Sequence, residues 1–154
     1  MTSTNKPVFT RLATLADLAS IAPLFNAYRQ FYEQTDDLTL SASFIQERLA
    51  NAESVIILAL DDAQTVVGFC QLYPSFCSLE AAPIYTLYDL FVLPHARRTG
   101  AARALLQAAH AHAAQTGRVR MDLTTARTNA SAQALYESEG WVQDVVFLTY
   151  NKWV

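Results

Sequence analysis

Cysteine is scarce in this 154-residue chain: Cys70 and Cys77 stand without further thiols, too few to frame a disulfide scaffold or a structural zinc site. Both are expected to be reduced and buried. No uninterrupted apolar run approaches the ~18 residues that a membrane-spanning helix needs, and the opening "MTSTNKPVFTRLA" lacks the apolar centre of a secretory leader. A cytoplasmic protein with no membrane partner is therefore expected. The basic residues form no dense run and the sequence pI is about 5.5, which argues against a nucleic-acid partner. The four glycines are too dispersed for a GxGxxG dinucleotide fingerprint, and no Walker loop is present. Internal repeats and low-complexity segments are also lacking. His110 and His112 lie two apart on a helical stretch, point to different faces and are read as solvated, so no metal is expected.

What the chain has in quantity is apolar side chain. Hydrophobic residues make up 52% and charged residues 16%, a balance suited to one globular α/β domain over residues 1–154. The net charge of −3 hides an asymmetry: residues 1–89 carry ten acidic and four basic side chains, residues 90–154 four acidic and seven basic. The two halves are suited to ligands of opposite sign, unless the charges merely scatter.

"VFTRLA", 8–13, reads as a first strand. Thr14 and Asp17 resemble a capping box that opens a helix, along which Leu15, Leu18, Ile21, Ala22, Phe25 and Tyr28 recur at three- and four-residue intervals. A second amphipathic helix, 41–50, has Phe44, Ile45, Leu49 and Ala50 on its apolar side. "SVIILAL", 54–60, and "TVVGFCQLYPSF", 65–76, predict an antiparallel hairpin in which Pro74 should interrupt or end the pairing. "IYTLYDLFVL", 84–93, is a further strand, followed by a helix to about Gln115 that Gly117 stops. Leu105, Leu106, Ala109 and Ala113 give that helix a stripe for packing on a sheet. "RVRMDLTTA", 118–126, predicts a strand, "NASAQALYESEGW" a short helix ended by Gly140, and "VVFLTYNKWV" a last strand. The order β-α-α-β-β-β-α-β-α-β predicts a mixed, mostly antiparallel central sheet flanked by helices.

The seam between "LYDLFVL" and the Ala- and Leu-rich helix reads "RRTGAARALL", 97–106. A turn joining a strand to a helix offers free backbone N–H groups at the positive end of the helix dipole, and such an end binds phosphate oxygens. Gly100 permits close approach, Ala101 and Ala102 add no bulk, and Arg97 and Arg98 can donate charge-assisted hydrogen bonds to a pyrophosphate. Taken alone, the arginines could equally be solvated charge. The flanks weigh against that: Leu90, Val92 and Pro94 form a Leu-x-Val-x-Pro strand end upstream, and "NASAQALYESEGW" lies downstream.

With these flanks the chain resembles the GNAT superfamily of N-acetyltransferases in element order throughout, most sharply over residues 85–141. The superfamily's acetyl-CoA motif, Gln/Arg-x-x-Gly-x-Gly/Ala, is filled by Arg97, Gly100 and Ala102, with alanine where glycine is commoner. Its second motif, Asn-x-x-Ala-x-x-Leu-Tyr followed by Gly and an aromatic, is filled by Asn129, Ala132, Leu135, Tyr136, Gly140 and Trp141. The resemblance implies an enzyme that moves the acetyl group of acetyl-CoA, its cosubstrate, directly to an amine without a metal. It implies that the strand carrying Leu90, Phe91 and Val92 splays from its neighbour and pairs with pantetheine, a backbone N–H near Leu90 polarising the thioester carbonyl. Arg97, Arg98, Thr99, Gly100, Ala101 and Ala102 would hold the pyrophosphate and Asn129 the pantetheine arm. The hydroxyl of Tyr136 would stand near the sulfur as general acid for the leaving thiolate, unless this tyrosine merely packs.

The proton acceptor is left open between Asp89, Glu80 and water; Asp89 alternates with Tyr88 along the strand, so that one of the two faces the site. For the amine, Tyr28, Phe31 and Tyr32 with Glu33, Asp36 and Asp37 could hold a cation by ring faces and carboxylates, or could be a buried helix face with a solvated end. "DLFV" and "QLYPSF" look most like the histone and polyamine acetyltransferase branch, which puts polyamines, small primary amines and protein lysines first. An aminoglycoside acceptor and a non-catalytic acyl-CoA-binding or regulatory domain are the alternatives. The last strands or the "YPSF" segment offer surfaces for a homodimer.

Overall fold

Every position of Val55–Leu60 is apolar, and a strand of that composition has to be covered on both faces. In the computed structural model, which describes residues 6–154, this segment forms β2 and is buried from Ile56 to Leu60. It lies inside a sheet of order β1-β2-β3-β4-β5, the other strands being β1 (Phe9–Leu12), β3 (Val66–Cys77), β4 (Ala82–Val92) and β5 (Met121–Asp122). The first four pair antiparallel in sequence order, and β5 joins β4 in parallel. Helices α1 (Leu18–Phe31) and α2 (Leu38–Ala50) send Ile21, Leu24, Phe25 and Ile45 onto one face, where they meet Ile56, Leu58, Phe69 and Phe91. Strand alternation turns Cys70 to the other face, beneath α3 (Ala101–Gln115), with its Sγ 4.0 Å from the Leu105 carbonyl oxygen. Leu105, Leu106, Ala109 and Ala113 are buried there, as their spacing predicts.

These elements belong to a compact unit that ends at Thr124; Thr125–Val154 form a second, which contains α4 (Ala130–Ser138). The observed order reproduces the predicted one through α4. The first helix opens differently from its periodicity: Leu15–Asp17 is a 3-10 turn and Leu15 is exposed, so the buried stripe starts at Ile21. Asp17 accepts a hydrogen bond from the Thr14 N–H at 2.9 Å and a two-pronged pair from Arg11 at 2.8 and 2.9 Å. These donors hold its carboxyl down to about 2. A depressed carboxylate stabilises the fold above its unfolded value and loses that contribution as pH falls through the folded one. Asp17→Asn is therefore expected to lower the melting temperature by a few degrees at pH 7, about 1 kcal/mol after screening of the half-exposed Arg11, and by much less near pH 2. Thermal melts at the two pH values check this.

Pro74 does not end the hairpin: β3 continues to Cys77, and Pro74 pairs with Tyr85. The reason is directional. Val67 accepts from Leu93 across the β3–β4 ladder, so the even-numbered β3 residues turn their backbone away from β4, and β2 has already ended opposite Leu72. The N–H that proline lacks would have pointed at an open edge.

The strand predicted over 118–126 is reduced to Met121–Asp122, and that predicted over 145–154 does not form among the described residues. Asp144 explains the latter locally: its carboxylate accepts from the N–H groups of Val146 and Phe147, at 2.8 and 3.0 Å, and bends the chain where the apolar run begins. Composition signals strand propensity; it does not supply a pairing partner. Cys70 is buried, its thiol pushed up to about 12, whereas Cys77 is only half-buried; both are free.

Candidate active site at the β4 bulge and the loop into α3

Strand β4 departs from regular pairing twice, and the two departures build the site. On its outer edge, pairing with β5 covers Tyr85↔Met121 and Thr86↔Asp122 and goes no further among the described residues. Since Leu93 donates to Val67 of β3 at 2.9 Å, alternation turns the backbone N–H and C=O groups of Leu90 and Val92 to that open edge. No strand pairs with Leu90, Phe91 or Val92 on this edge among the described residues. Gly68 lets β4 lie close: a Cβ there would come within 2.9 Å of the Phe91 carbonyl oxygen.

On its inner edge, Gln71 pairs with Asp89 but Leu72 pairs with Leu87, so Tyr88 is an extra residue in β4. A bulge of this kind brings two successive side chains toward one face. The expectation that either Tyr88 or Asp89 faces the site is corrected accordingly. Asp89 is buried, 3% exposed, while Tyr88 is 66% exposed and meets Tyr73 edge-on with ring centres 5.4 Å apart. The Tyr28 hydroxyl lies 3.4 Å from the carbonyl oxygen of Tyr88 and also acts on the Asp89 carboxylate. Burial pushes the Asp89 carboxyl up, opposed first by the hydrogen bond from Gln71 and then by that from Tyr28. Burial and the nearby Asp89 charge likewise raise Tyr28 and Tyr73.

Of the residues expected at an amine site, Tyr28 and Tyr32 meet edge-on at 5.2 Å, as do Phe31 and Tyr32. Tyr28 also reaches Phe91, at 6.2 Å. The carboxylates of that set divide. Asp36 accepts from the Asn26 amide at 2.7 Å, Asp37 caps α2 through the Leu40 N–H at 2.9 Å, and both serve the turn between helices. Glu33 is exposed and has a left-handed backbone, φ 61°. Glu80 is not brought to the site: it sits in the turn beyond Cys77, 3.4 Å from Arg120, at the far end of the β3–β4 hairpin from Asp89. Gln71 and Ser54 went unnoticed in the sequence, because a single polar residue in an apolar strand carries no periodic signal.

Beyond β4, Pro94–Ala96 makes one 3-10 turn and the chain enters α3 through Gly100, φ 91° and ψ 4°, a left-handed conformation that a side chain resists. A Cβ placed on Gly100 meets nothing within 4 Å, so the space above the helix N-terminus is open to a ligand. Thr99 braces the loop through a 2.6 Å hydrogen bond from its hydroxyl to the Ala96 carbonyl. Arg97 is turned back: its Nε donates to the Val92 carbonyl at 3.0 Å, and its guanidinium lies 5.6 Å from the Phe91 ring centre and 5.8 Å from that of Phe31. Arg98 is exposed, also left-handed at φ 62°. A pyrophosphate fits this cradle through backbone N–H groups and small side chains.

Within the second unit, Asn129 caps α4, its side-chain oxygen accepting from the Ala132 N–H at 3.2 Å. Tyr136 packs beside Trp141 with ring centres 6.1 Å apart. Of the two histidines read as solvated, His110 is exposed but His112 is half-buried against Tyr85, ring centres 5.8 Å apart, and burial lowers its pKa.

The open β4 edge running into a glycine-opened helix agrees with what the sequence motifs imply, and the profile of the acetyltransferase (GNAT) family matches residues 18–141. The chain belongs to the GNAT acetyltransferase family. Among its relatives is a Bacillus subtilis (strain 168) protein named uncharacterized N-acetyltransferase YhfO, 46% identical over 91% of this chain and 93% of that one. A probable acetyltransferase of Haemophilus influenzae (strain ATCC 51907 / DSM 11121 / KW20 / Rd) is 32% identical over 79% of this chain and 81% of its own. A crystal structure of a probable acetyltransferase superposes with a TM-score of 0.88 at 42% identity, covering 96% of this GNAT chain and 97% of that one. These names identify acetyl transfer, and none of them names an acceptor. No helix among the described residues is long and apolar enough to cross a membrane.

Proposed function

We propose that this GNAT enzyme transfers the acetyl group of acetyl-CoA directly to a primary amine, with Asp89 accepting the amine proton. The observation that carries the reading is the β4 bulge: it sets a buried carboxylate one residue from the Leu90 backbone, which faces the open strand edge. Acetyl-CoA supplies the activated thioester. The chain's own part is to hold it and manage charge. The loop Arg97–Ala102 binds the pyrophosphate through N–H groups at the α3 terminus, and the Leu90 C=O and Val92 N–H pair with the pantetheine amides. The Leu90 N–H donates to the negative charge that develops on the thioester oxygen.

An alkylammonium cannot attack until it loses a proton, and a carboxylate among aromatic rings suits both the cation and its deprotonation. Tyr28, Tyr32, Phe31 and the exposed Tyr88 line the approach in this reading, which favours small primary amines, polyamines or protein lysines as acceptors. Tyr136 is assigned as general acid for the thiolate on its place in the Asn-x-x-Ala-x-x-Leu-Tyr motif. Tyr136→Phe is expected to lower turnover about 10-fold or more while leaving acetyl-CoA affinity unchanged. Thiol release during turnover and calorimetric titration of the cofactor measure the two; wild-type turnover in the mutant would remove the acid role.

A further inference from the structure

Gln71 is 0% exposed and Ser54 9% exposed, two polar side chains sealed under apolar strands. A buried amide has to satisfy a carbonyl and an NH2 group at once. Gln71 does so in opposite directions: its Oε1 accepts from the Ser54 hydroxyl at 2.7 Å and its Nε2 donates to Asp89 Oδ2 at 2.6 Å. The acceptor-only carboxylate takes the NH2 end of the amide, and the Ser54 hydroxyl donates to the Oε1 left facing it.

We propose that Ser54 and Gln71 are positioning residues for the proton acceptor, holding Asp89 as an oriented carboxylate through its Oδ2. This rests on the reading of Asp89 as that acceptor. The groups around Asp89 make the amide necessary. From α1 it is faced by Tyr28 and from β3 by Tyr73, each raised by burial and then by the Asp89 charge, while Tyr88 of β4 packs edge-on against Tyr73. None of these carries positive charge. Arg48 of α2 acts on Tyr73, and no cation counts among the influences on Asp89 itself. Against burial, the ionised form is therefore supported by neutral donors, Gln71 first.

The test is a carboxyl titration by NMR on protein labelled with 13C at aspartate, the Asp89 signal being assigned by its loss in Asp89→Asn. Gln71→Met is expected to raise the Asp89 midpoint by about one pH unit or more. Ser54→Ala should raise it by less, and Ser54→Thr, which keeps the hydroxyl, should restore the wild-type midpoint. Wild-type midpoints in both Gln71→Met and Ser54→Ala, with melts showing folded protein, would overturn the proposal. If Gln71→Met fails to fold, the Ser54→Ala and Ser54→Thr pair decides alone. Full turnover in Asp89→Asn would instead remove the proton-acceptor role, an outcome the titration does not share.

Discussion

Gly100→Val is expected to weaken acetyl-CoA binding by about 100-fold or more, the largest change in cofactor affinity from a single substitution in the loop. Two effects act together. The backbone at Gly100 has φ 91°, which costs a β-branched residue on the order of 1–2 kcal/mol to adopt, so the loop N–H groups are re-aimed. The added side chain also projects into space where no protein atom lies within 4 Å of the Cβ, the space that the cradle keeps for phosphate. Arg98→Ala should do far less, since that side chain is exposed and occupies a variable place in the motif. Calorimetric titration of acetyl-CoA into wild type and both mutants measures the ranking. Equal affinity in wild type and Gly100→Val would remove the loop from the pyrophosphate site.

Asp89→Asn is expected to reduce turnover by about 10²–10³-fold with cofactor affinity unchanged. The substitution preserves shape and leaves an oxygen to accept from Gln71 Nε2, so what it removes is the ability to take a proton. The pH dependence has a fixed sign. Only the carboxylate accepts the proton, so wild-type kcat/KM should fall as pH drops through the raised Asp89 pKa, and the residual activity of Asp89→Asn should lack that limb. Stability should move the opposite way. A carboxyl with a raised folded pKa contributes stability below its unfolded value and loses it as pH rises through the folded one. At pH 8 Asp89→Asn should therefore melt at or above the wild-type temperature, and the gap should close below about pH 4. A mutant that loses both activity and fold at pH 8 would make Asp89 a structural residue.

The sequence made the helices, the hairpin and the α3 loop legible because each has a local cause: period, turn residue or motif. The glycine at 100 stands where a left-handed residue opens α3, and the apolar stripe of α3 is buried as its spacing requires. The bulge at Tyr88 was not legible, since an extra residue in one strand is defined only by its partner in another. For the same reason the sequence leaves Asp89 one candidate among several, its partner Gln71 being set by the sheet register. Asp36 and Asp37 looked like cation ligands by charge and proximity to aromatics. Buried Asn26 and the start of α2 use them instead, a role that depends on how two helices meet. The apolar 145–154 run carries strand propensity, and the turn at Asp144 shows how a short side chain overrides it locally.

Direct transfer from acetyl-CoA to an amine is tested most directly by an amine panel. The wild-type protein is mixed with acetyl-CoA and, in turn, spermidine, tyramine, a lysine-containing peptide and an aminoglycoside, while free thiol and acetylated amine are followed together. Amine-dependent thiol release matched by acetylated product is expected for at least one member and is lost in Asp89→Asn. Saturable acetyl-CoA binding with no thiol release on any amine would contradict it and make the protein an acyl-CoA-binding domain.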